Sequence, residues 1–164
     1  MTVDAHVDNI KKKFRSRTWA LRNLKRKGMS EEGLVRVYTT TIRPTVEYAS
    51  AIWHPMISVK QSLLLERQQT QALRNIFGNN LSARQLRAKA AVPLLEDRRK
   101  NACIKLAQKS LQSDRFSDWF PRRDHSRYSQ RHGVNYNRFE EEQARTERYR
   151  NCPINYMRRI MNCC

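Results

Sequence analysis

The sequence predicts an all-α protein, a small bundle of about five helices followed by a largely irregular, basic C-terminal tail. Apolar residues recur at spacings of three and four through residues 4–111, which is the period of a helix that buries one face. Serine or aspartate precedes most of these runs and glycine or proline follows them, as expected for helix caps and stops.

The first helix is predicted over residues 4–27, with Asp4 as its N-cap and Gly28 as its stop. Its apolar face includes Phe14, which we expect in the core. Residues 11–27 hold nine basic side chains and no acid. An ordinary solvated face mixes both signs, so we interpret this one as a phosphate-contacting surface. The first-choice contacts are Lys11, Lys12, Lys13, Arg15, Arg22, Lys25 and Arg26.

The second helix is predicted to begin after Ser30, to kink near Pro44 and to end at His54-Pro55. A strand over Thr39–Thr41 is a local alternative, but the apolar line is too long for a typical strand. The stretch 39–55 is the most apolar and aromatic of the chain, and we expect it to organise the core. The predicted core or structural residues of this stretch are Ile42, Pro44, Tyr48 and Trp53, and the neighbouring Tyr38 is predicted together with them. Trp19 of the first helix is also expected in the core.

Three further helices are predicted over residues 58–77, 82–91 and 94–111. Ser82 and Gln85 form a capping-box pattern, and Ile76 is expected in the core. The outer side of the last helix is basic, and the phosphate contacts predicted on it are Arg98, Arg99 and Lys105.

The character of the chain changes after Ser113. We therefore predict two parts, a helical module over residues 1–112 and a basic, partly disordered tail over residues 113–164. Residues 122–151 have few aliphatic side chains and are expected to be mostly disordered or to become ordered only with a partner. Their alternating arginine and aromatic residues suit single-stranded nucleic acid, and a tail without a defined site is an equally weighted alternative. A short helix over 153–162 is compatible with the sequence.

The net charge indicates which class of partner the protein binds. With 33 Lys and Arg against 15 Asp and Glu, the charge is +18, which favours a polyanion such as RNA or DNA, with an anionic membrane surface second. No apolar run approaches the roughly 18 residues of a membrane span, and no signal peptide is recognised. Four cysteines without disulfide spacing favour an intracellular location, nucleus or cytoplasm. No metal or cofactor is expected, because His125, His132 and Cys152 are too sparse for a zinc site.

Three motifs follow one another along the chain. A His-x-x-x-Ile helix precedes Tyr-x-x-x-Ile-Arg-Pro-x-x-x-Tyr-x-x-x-x-Trp and then a Gln-rich helix ending in Arg-x-Ile-x-Gly. The residues of these motifs are His6, Ile10, Tyr38, Ile42, Arg43, Pro44, Tyr48, Trp53, Gln68, Gln69, Arg74, Ile76 and Gly78. In this combination the sequence resembles the region just after the palm in reverse transcriptases of non-LTR (LINE-like) retrotransposons.

The resemblance implies a thumb-like fragment that grips the backbone of RNA, DNA or an RNA–DNA hybrid. That family's polymerases hold two metal ions with palm aspartates, but none of the six aspartates here stands in an Asp-Asp pair. We therefore expect no catalysis by this chain alone, no small-molecule substrate and no membrane partner. A palm domain supplied by another chain is a further partner to consider. The alternatives are a helical protein-interaction module and a non-functional relic of a decayed element.

Overall fold

The computed structural model describes residues 3–122 and 139–163, and within these ranges it is all-α, as predicted. The α-helices are α1 (Val3–Arg26), α2 (Glu31–Val37), α3 (Pro44–Glu47), α4 (Ser50–Trp53), α5 (Val59–Phe77), α6 (Ala83–Lys89), α7 (Leu95–Leu111), α8 (Glu147–Arg150) and α9 (Pro153–Asn162). A π-helix covers Tyr38–Ile42, and 3-10 turns cover His54–Met56 and Asp114–Trp119. Within the described ranges, no helix combines the length and the apolar character needed to cross a bilayer.

The chain forms two compact units. The first holds residues 1–50 and 57–99, and the second holds residues 51–56 and 100–164. This division falls inside α7. The predicted domain boundary after residue 112 followed the change in composition, and it stays a prediction.

Serine caps begin three helices of the first unit. The side chains of Ser58 and Ser82 accept hydrogen bonds from the backbone N–H groups of Gln61 and Gln85, whose side chains reach back to the serine N–H groups. The capping box predicted at Ser82 is therefore confirmed. Ser30 accepts from Gly33 N in the same way at the start of α2. Each cap satisfies N–H groups that have no partner inside the helix.

The core of the first unit contains four residues that the sequence placed there, Phe14, Tyr38, Ile42 and Ile76, all fully or almost fully buried. Phe14 and Tyr38 meet edge to face with ring centroids 6.4 Å apart. The Tyr38 hydroxyl donates to Gln69 Oε1 at 2.7 Å, and Gln69 Nε2 donates to the carbonyl of Pro93 at 3.0 Å. This polar chain lets a phenol and an amide lie inside an apolar core.

The predicted second helix changes type before Pro44. Arg43 N donates to the carbonyl of Tyr38 at 2.9 Å, a π-type bond five residues back. The hydroxyls of Thr39 and Thr40 both donate to the carbonyl of Arg36, at 3.0 and 2.8 Å. Pro44 is exposed and begins α3, where a missing N–H costs little. The predicted kink is thus a change of helix type followed by a new helix.

The prediction that Tyr48 lies in the core is wrong, because its side chain is 79% exposed. The helix that would have carried Tyr48 inward ends at Glu47. Ala49 then adopts a φ of 50°, a left-handed conformation that turns the chain. The apolar line through residues 38–53 therefore does not continue as one helical face.

The second unit has its own small core of Ala107, Phe120 and Met157, with Trp53 also buried as predicted. A helix occupies residues 153–162, the range in which a short helix was considered, and the buried Arg158 on it donates to the carbonyl of Trp119 at 2.6 Å. Of the residues 122–151 for which disorder was predicted, 123–138 lie outside the described residues, whereas 139–151 are described and include helix α8. The irregular basic tail stays a prediction.

Candidate nucleic-acid interface

Helix α1 has one buried face and one exposed face. Val7, Ile10, Phe14 and Leu21 are buried within the first unit, together with Thr18, whose hydroxyl donates to the carbonyl of Phe14 at 2.7 Å. Their spacing of three and four residues is the period of a helix that buries one face. The helix is thereby fixed in rotation, and this determines which side chains point to solvent.

A continuous line of side chains runs along the exposed face, at spacings of three, four, three and four. All of its members are exposed, and we name this line the α1 stripe: Lys12, Arg15, Trp19, Arg22 and Arg26. At about 1.5 Å per residue it is roughly 21 Å long. The structure therefore gathers four of the predicted phosphate contacts on one surface.

The position of Trp19 contradicts its predicted place in the core, because its side chain is 64% exposed. The buried positions 14, 18 and 21 lie on the opposite side of the helix from residue 19. The residue type suggested burial, whereas the helical period already placed it among the basic residues. The period was the correct signal.

The other predicted contacts of α1 are used partly within the protein. Lys11 forms an ion pair with Asp8 at 2.7 Å. Lys25 Nζ donates to the carbonyl of Ile76 at 2.6 Å, so this ammonium group joins α1 to the end of α5. Lys13 is exposed but lies off the stripe. Among these three, only Lys13 has no hydrogen bond or ion pair to a described residue.

Asp8 continues the stripe at its N-terminal end, four residues before Lys12, and supplies the nearest negative charge on α1. The hydrogen bond from Lys11 lowers the pKa of the Asp8 carboxyl, with a smaller effect from the charge of Lys12. Beyond this point the exposed face of α1 carries only positive charge. The stripe thus has an acidic boundary at one end and an unbroken basic surface after it.

Arg22 also touches the body of the first unit, since its Nε donates to Asn75 Oδ1 at 3.3 Å. This bond occupies one of five guanidinium donors and leaves the others for a ligand. A side chain held at its base is more ordered than a free one, so less entropy is lost when it binds a phosphate.

Arg99 is a predicted phosphate contact that the structure rules out in this conformation. Its side chain is fully buried, and Nη2 donates to Ser62 Oγ at 2.8 Å. Nearby, Glu66 Oε1 accepts from the backbone N–H of Glu96 at 2.8 Å, at the start of α7. Burial raises the pKa of Glu66, and the charge of Arg99 partly offsets this rise. Arg99 therefore belongs to a buried polar group rather than to a binding surface.

Arg98 and Lys105, the remaining predicted contacts, lie on different parts of α7. Arg98 donates through Nε and Nη2 to the two carboxylate oxygens of Glu47, and this bond raises its pKa. Arg43 approaches the same carboxylate at 3.1 Å. Lys105 is exposed, on the part of α7 that belongs to the second unit. Arg98 has a structural partner and is a poorer phosphate contact than the stripe.

Sequence reasoning missed the role of Arg17. Its Nη1 donates to the carbonyl of Thr41 and to the hydroxyl of Thr45, across the π-helix and the start of α3. Arg17 stands next to the position where the apolar line of α1 lacks a hydrophobic residue, but Thr18 takes the buried place there and Arg17 stays exposed. Its guanidinium group therefore bonds to the neighbouring elements from the surface of the protein.

Metal-binding groups do not gather in the parts of the chain that the structure describes: no three His, Cys, Asp or Glu side chains come together there. His125 and His132 lie outside those parts. Cys103 is buried, and its Sγ donates weakly to the carbonyl of Ala51 at 3.7 Å, so this thiol is packed inside the protein.

Comparison of the chain with protein-family models, curated proteins and solved structures gave no match. The resemblance to the post-palm region of non-LTR retrotransposon reverse transcriptases therefore stands on the sequence motifs alone.

Proposed function

We propose that this chain binds the sugar-phosphate backbone of RNA, DNA or an RNA–DNA hybrid through the α1 stripe, with little sequence selectivity. The observation that carries the proposal is the arrangement of four exposed basic side chains along one face of a helix, without an acid among them. A polyanion supplies the matching charge at regular intervals. The net charge of +18 and the resemblance to a thumb-side fragment of a reverse transcriptase both favour this ligand.

The proposal includes an absence of polymerase activity in the isolated chain. Two-metal nucleotidyl transfer needs carboxylates placed to hold both ions, and the sequence has no Asp-Asp pair. Purified protein incubated with primer, template and Mg²⁺ is expected to give no extension. Extension above the level of a mock preparation would refute this part of the proposal.

The test of binding is a salt titration with three ligands of equal length, a single strand, a DNA duplex and an RNA–DNA hybrid. If the four charges of the stripe each neutralise one phosphate, log K should fall against log salt with a slope of about −3.6 on duplex DNA and about −2.8 on a single strand. Additional contacts would steepen both slopes. A nearly salt-independent isotherm, or no binding at low salt, would refute the proposal.

The first unit provides a control of matched charge and composition. Changing the four basic residues of the stripe to Gln removes one Lys and three Arg. A control variant removes the same set from other exposed helical positions, Lys60, Arg67, Arg74 and Arg84. The stripe variant should lose most of the slope of log K against log salt, and the control variant should keep that slope. Equal losses would mean that binding depends on net charge rather than on the stripe.

A second candidate function, a helical module that binds another protein, is favoured by a different surface. Val59 and Leu63 lie one turn apart on α5 and are 77% and 52% exposed. Neighbouring exposed aliphatic side chains are typical of protein-binding sites. If this surface mediates association, changing both residues to Ser should convert a self-associated species in gel filtration to a monomer. A wild-type protein that is already monomeric would argue against self-association.

A further inference from the structure

We propose that Trp19 stacks on an unpaired base of single-stranded nucleic acid whose phosphates lie along the α1 stripe. This inference rests on the proposed function and adds to it the type of ligand, a strand with accessible base faces. Contacts to the phosphate backbone alone do not select single strands for their accessible bases, because single strands and duplexes both carry phosphates.

The first observation is the exposure of a large aromatic side chain with no hydrogen bond or ring contact to the described part of the chain. Trp19 is 64% exposed, and the buried face of α1 excludes it. Tryptophan buries more apolar area than most side chains when it finds a partner. The indole of Trp19 is thus exposed on a helix that is already formed. Only this one side chain has to be ordered when a base stacks on it, so the loss of entropy is small.

The second observation is the position of this indole within the stripe. Arg15 precedes it by four residues and Arg22 follows it by three, so each Cβ lies about 5–6 Å from that of Trp19. Lys12 and Arg26 lie one further turn away in each direction. A base stacked on the indole would therefore have cationic groups on both sides, within reach of its flanking phosphates.

The chemistry of this set favours nucleic acid over a protein partner. An apolar protein surface that covered Trp19 would also desolvate the neighbouring guanidinium groups without supplying opposite charge. A nucleic acid strand supplies a π face for the indole and phosphates for the cations in the same covalent unit. Within a duplex the base faces are already stacked on each other, so only the cations of the stripe can bind it.

The experiment compares wild type, Trp19→Ala and Trp19→Phe on a 12-nucleotide RNA, a DNA of the same sequence and a blunt duplex. Trp19→Ala should weaken binding to each single strand by about 5- to 150-fold and leave duplex binding within about twofold. Trp19→Phe should retain most of the single-strand affinity, because a phenyl ring also stacks. The salt slope should be the same for all three proteins, since no charge changes.

Tryptophan emission gives an independent measure of contact. Single-strand binding should quench emission in the wild type, and this quenching should be absent from Trp19→Phe, which keeps Trp53 and Trp119. The single strand that shows the larger loss in Trp19→Ala, RNA or DNA, identifies the preferred ligand. Circular dichroism melting establishes that each variant is folded.

The outcomes separate this inference from the proposed function. If no ligand binds at any salt concentration, both fail. If the wild type binds with the expected salt slope and Trp19→Ala binds single strands equally well, only the stacking is refuted. An equal loss on single strand and duplex also refutes it, as does a change in self-association of Trp19→Ala with unchanged nucleic acid binding.

Discussion

The hydrogen bond between Tyr38 and Gln69 supplies a prediction about what holds the first unit together. Both residues belong to the motifs on which the resemblance to retrotransposon reverse transcriptases rests, and the structure joins them through a buried bond of 2.7 Å. Tyr38→Phe keeps the ring and removes only the hydroxyl. Gln69 Oε1 then loses this donor inside the protein, while the bond from Gln69 to Pro93 remains.

The expected cost of Tyr38→Phe is about 1–3 kcal/mol, the range for leaving one buried acceptor without its partner. In a chain of this size, that corresponds to a melting temperature lower by roughly 2–12 °C. Burial raises the pKa of Tyr38, so the hydroxyl is protonated at neutral pH and titration does not complicate the measurement. Tyr48→Phe is the matched control. Because Tyr48 is 79% exposed, a change within about 0.5 kcal/mol is expected.

A double-mutant cycle with Gln69→Met isolates the interaction. Once Gln69 is replaced, the hydroxyl of Tyr38 has lost its acceptor, so removing it as well should cost little. We expect a coupling free energy of about 1–3 kcal/mol from urea denaturation followed by circular dichroism. Additive effects, or a Tyr38→Phe protein as stable as the wild type, would show that this bond does not contribute to stability.

Three further predictions concern the same unit. Arg99→Met should cost about 1–3 kcal/mol in urea denaturation, because the buried hydroxyl of Ser62 loses its donor, and a variant as stable as the wild type would show that this bond does not stabilise the fold. Burial raises the pKa of Glu66 above 4.5, so this carboxyl stabilises the fold below that pH and loses its contribution as the pH rises through the folded value. The free energy of unfolding of Glu66→Gln should therefore increase relative to that of the wild type as the pH rises from about 4 to about 7. A difference that increases towards low pH instead would contradict the raised pKa of Glu66. Ala91→Gly should stabilise by up to about 1 kcal/mol because Ala91 has a φ of 51°, whereas Ala88→Gly, on the exposed side of α6, should destabilise by about as much.

The sequence was sufficient for the helices whose apolar period and caps agree. Helix α1 was predicted over residues 4–27 and observed over Val3–Arg26, because one apolar line and one glycine both indicate the same helix. Asp4, predicted as the N-cap, lies inside the first turn instead, because the helix begins one residue earlier. The capping box predicted at Ser82 similarly indicated where α6 begins. Local patterns were reliable where several of them coincided.

The errors arose where a distant contact or a special backbone conformation decides the outcome. Arg99 is buried because Ser62, 37 residues earlier in the chain, accepts its hydrogen bond. Tyr48 is exposed because Ala49 adopts a left-handed conformation that alanine rarely favours. Trp19 is a different case. The helical period already indicated that residue 19 lies on the exposed face, but its large apolar side chain led to a prediction of burial. The four basic residues of the α1 stripe were thus among the contacts predicted from the sequence, whereas Trp19 at its centre was not.

The single sign of the α1 stripe has a thermodynamic consequence for the helix itself. Like charges three and four residues apart repel each other, so the exposed face of α1 opposes the helix that its buried face stabilises. A bound polyanion removes this repulsion, and binding and helix stability are then linked. Ionic strength should act in opposite directions on the two properties, weakening the complex while it stabilises the unbound helix. The free protein would then be least stable under the low-salt conditions in which it binds most tightly.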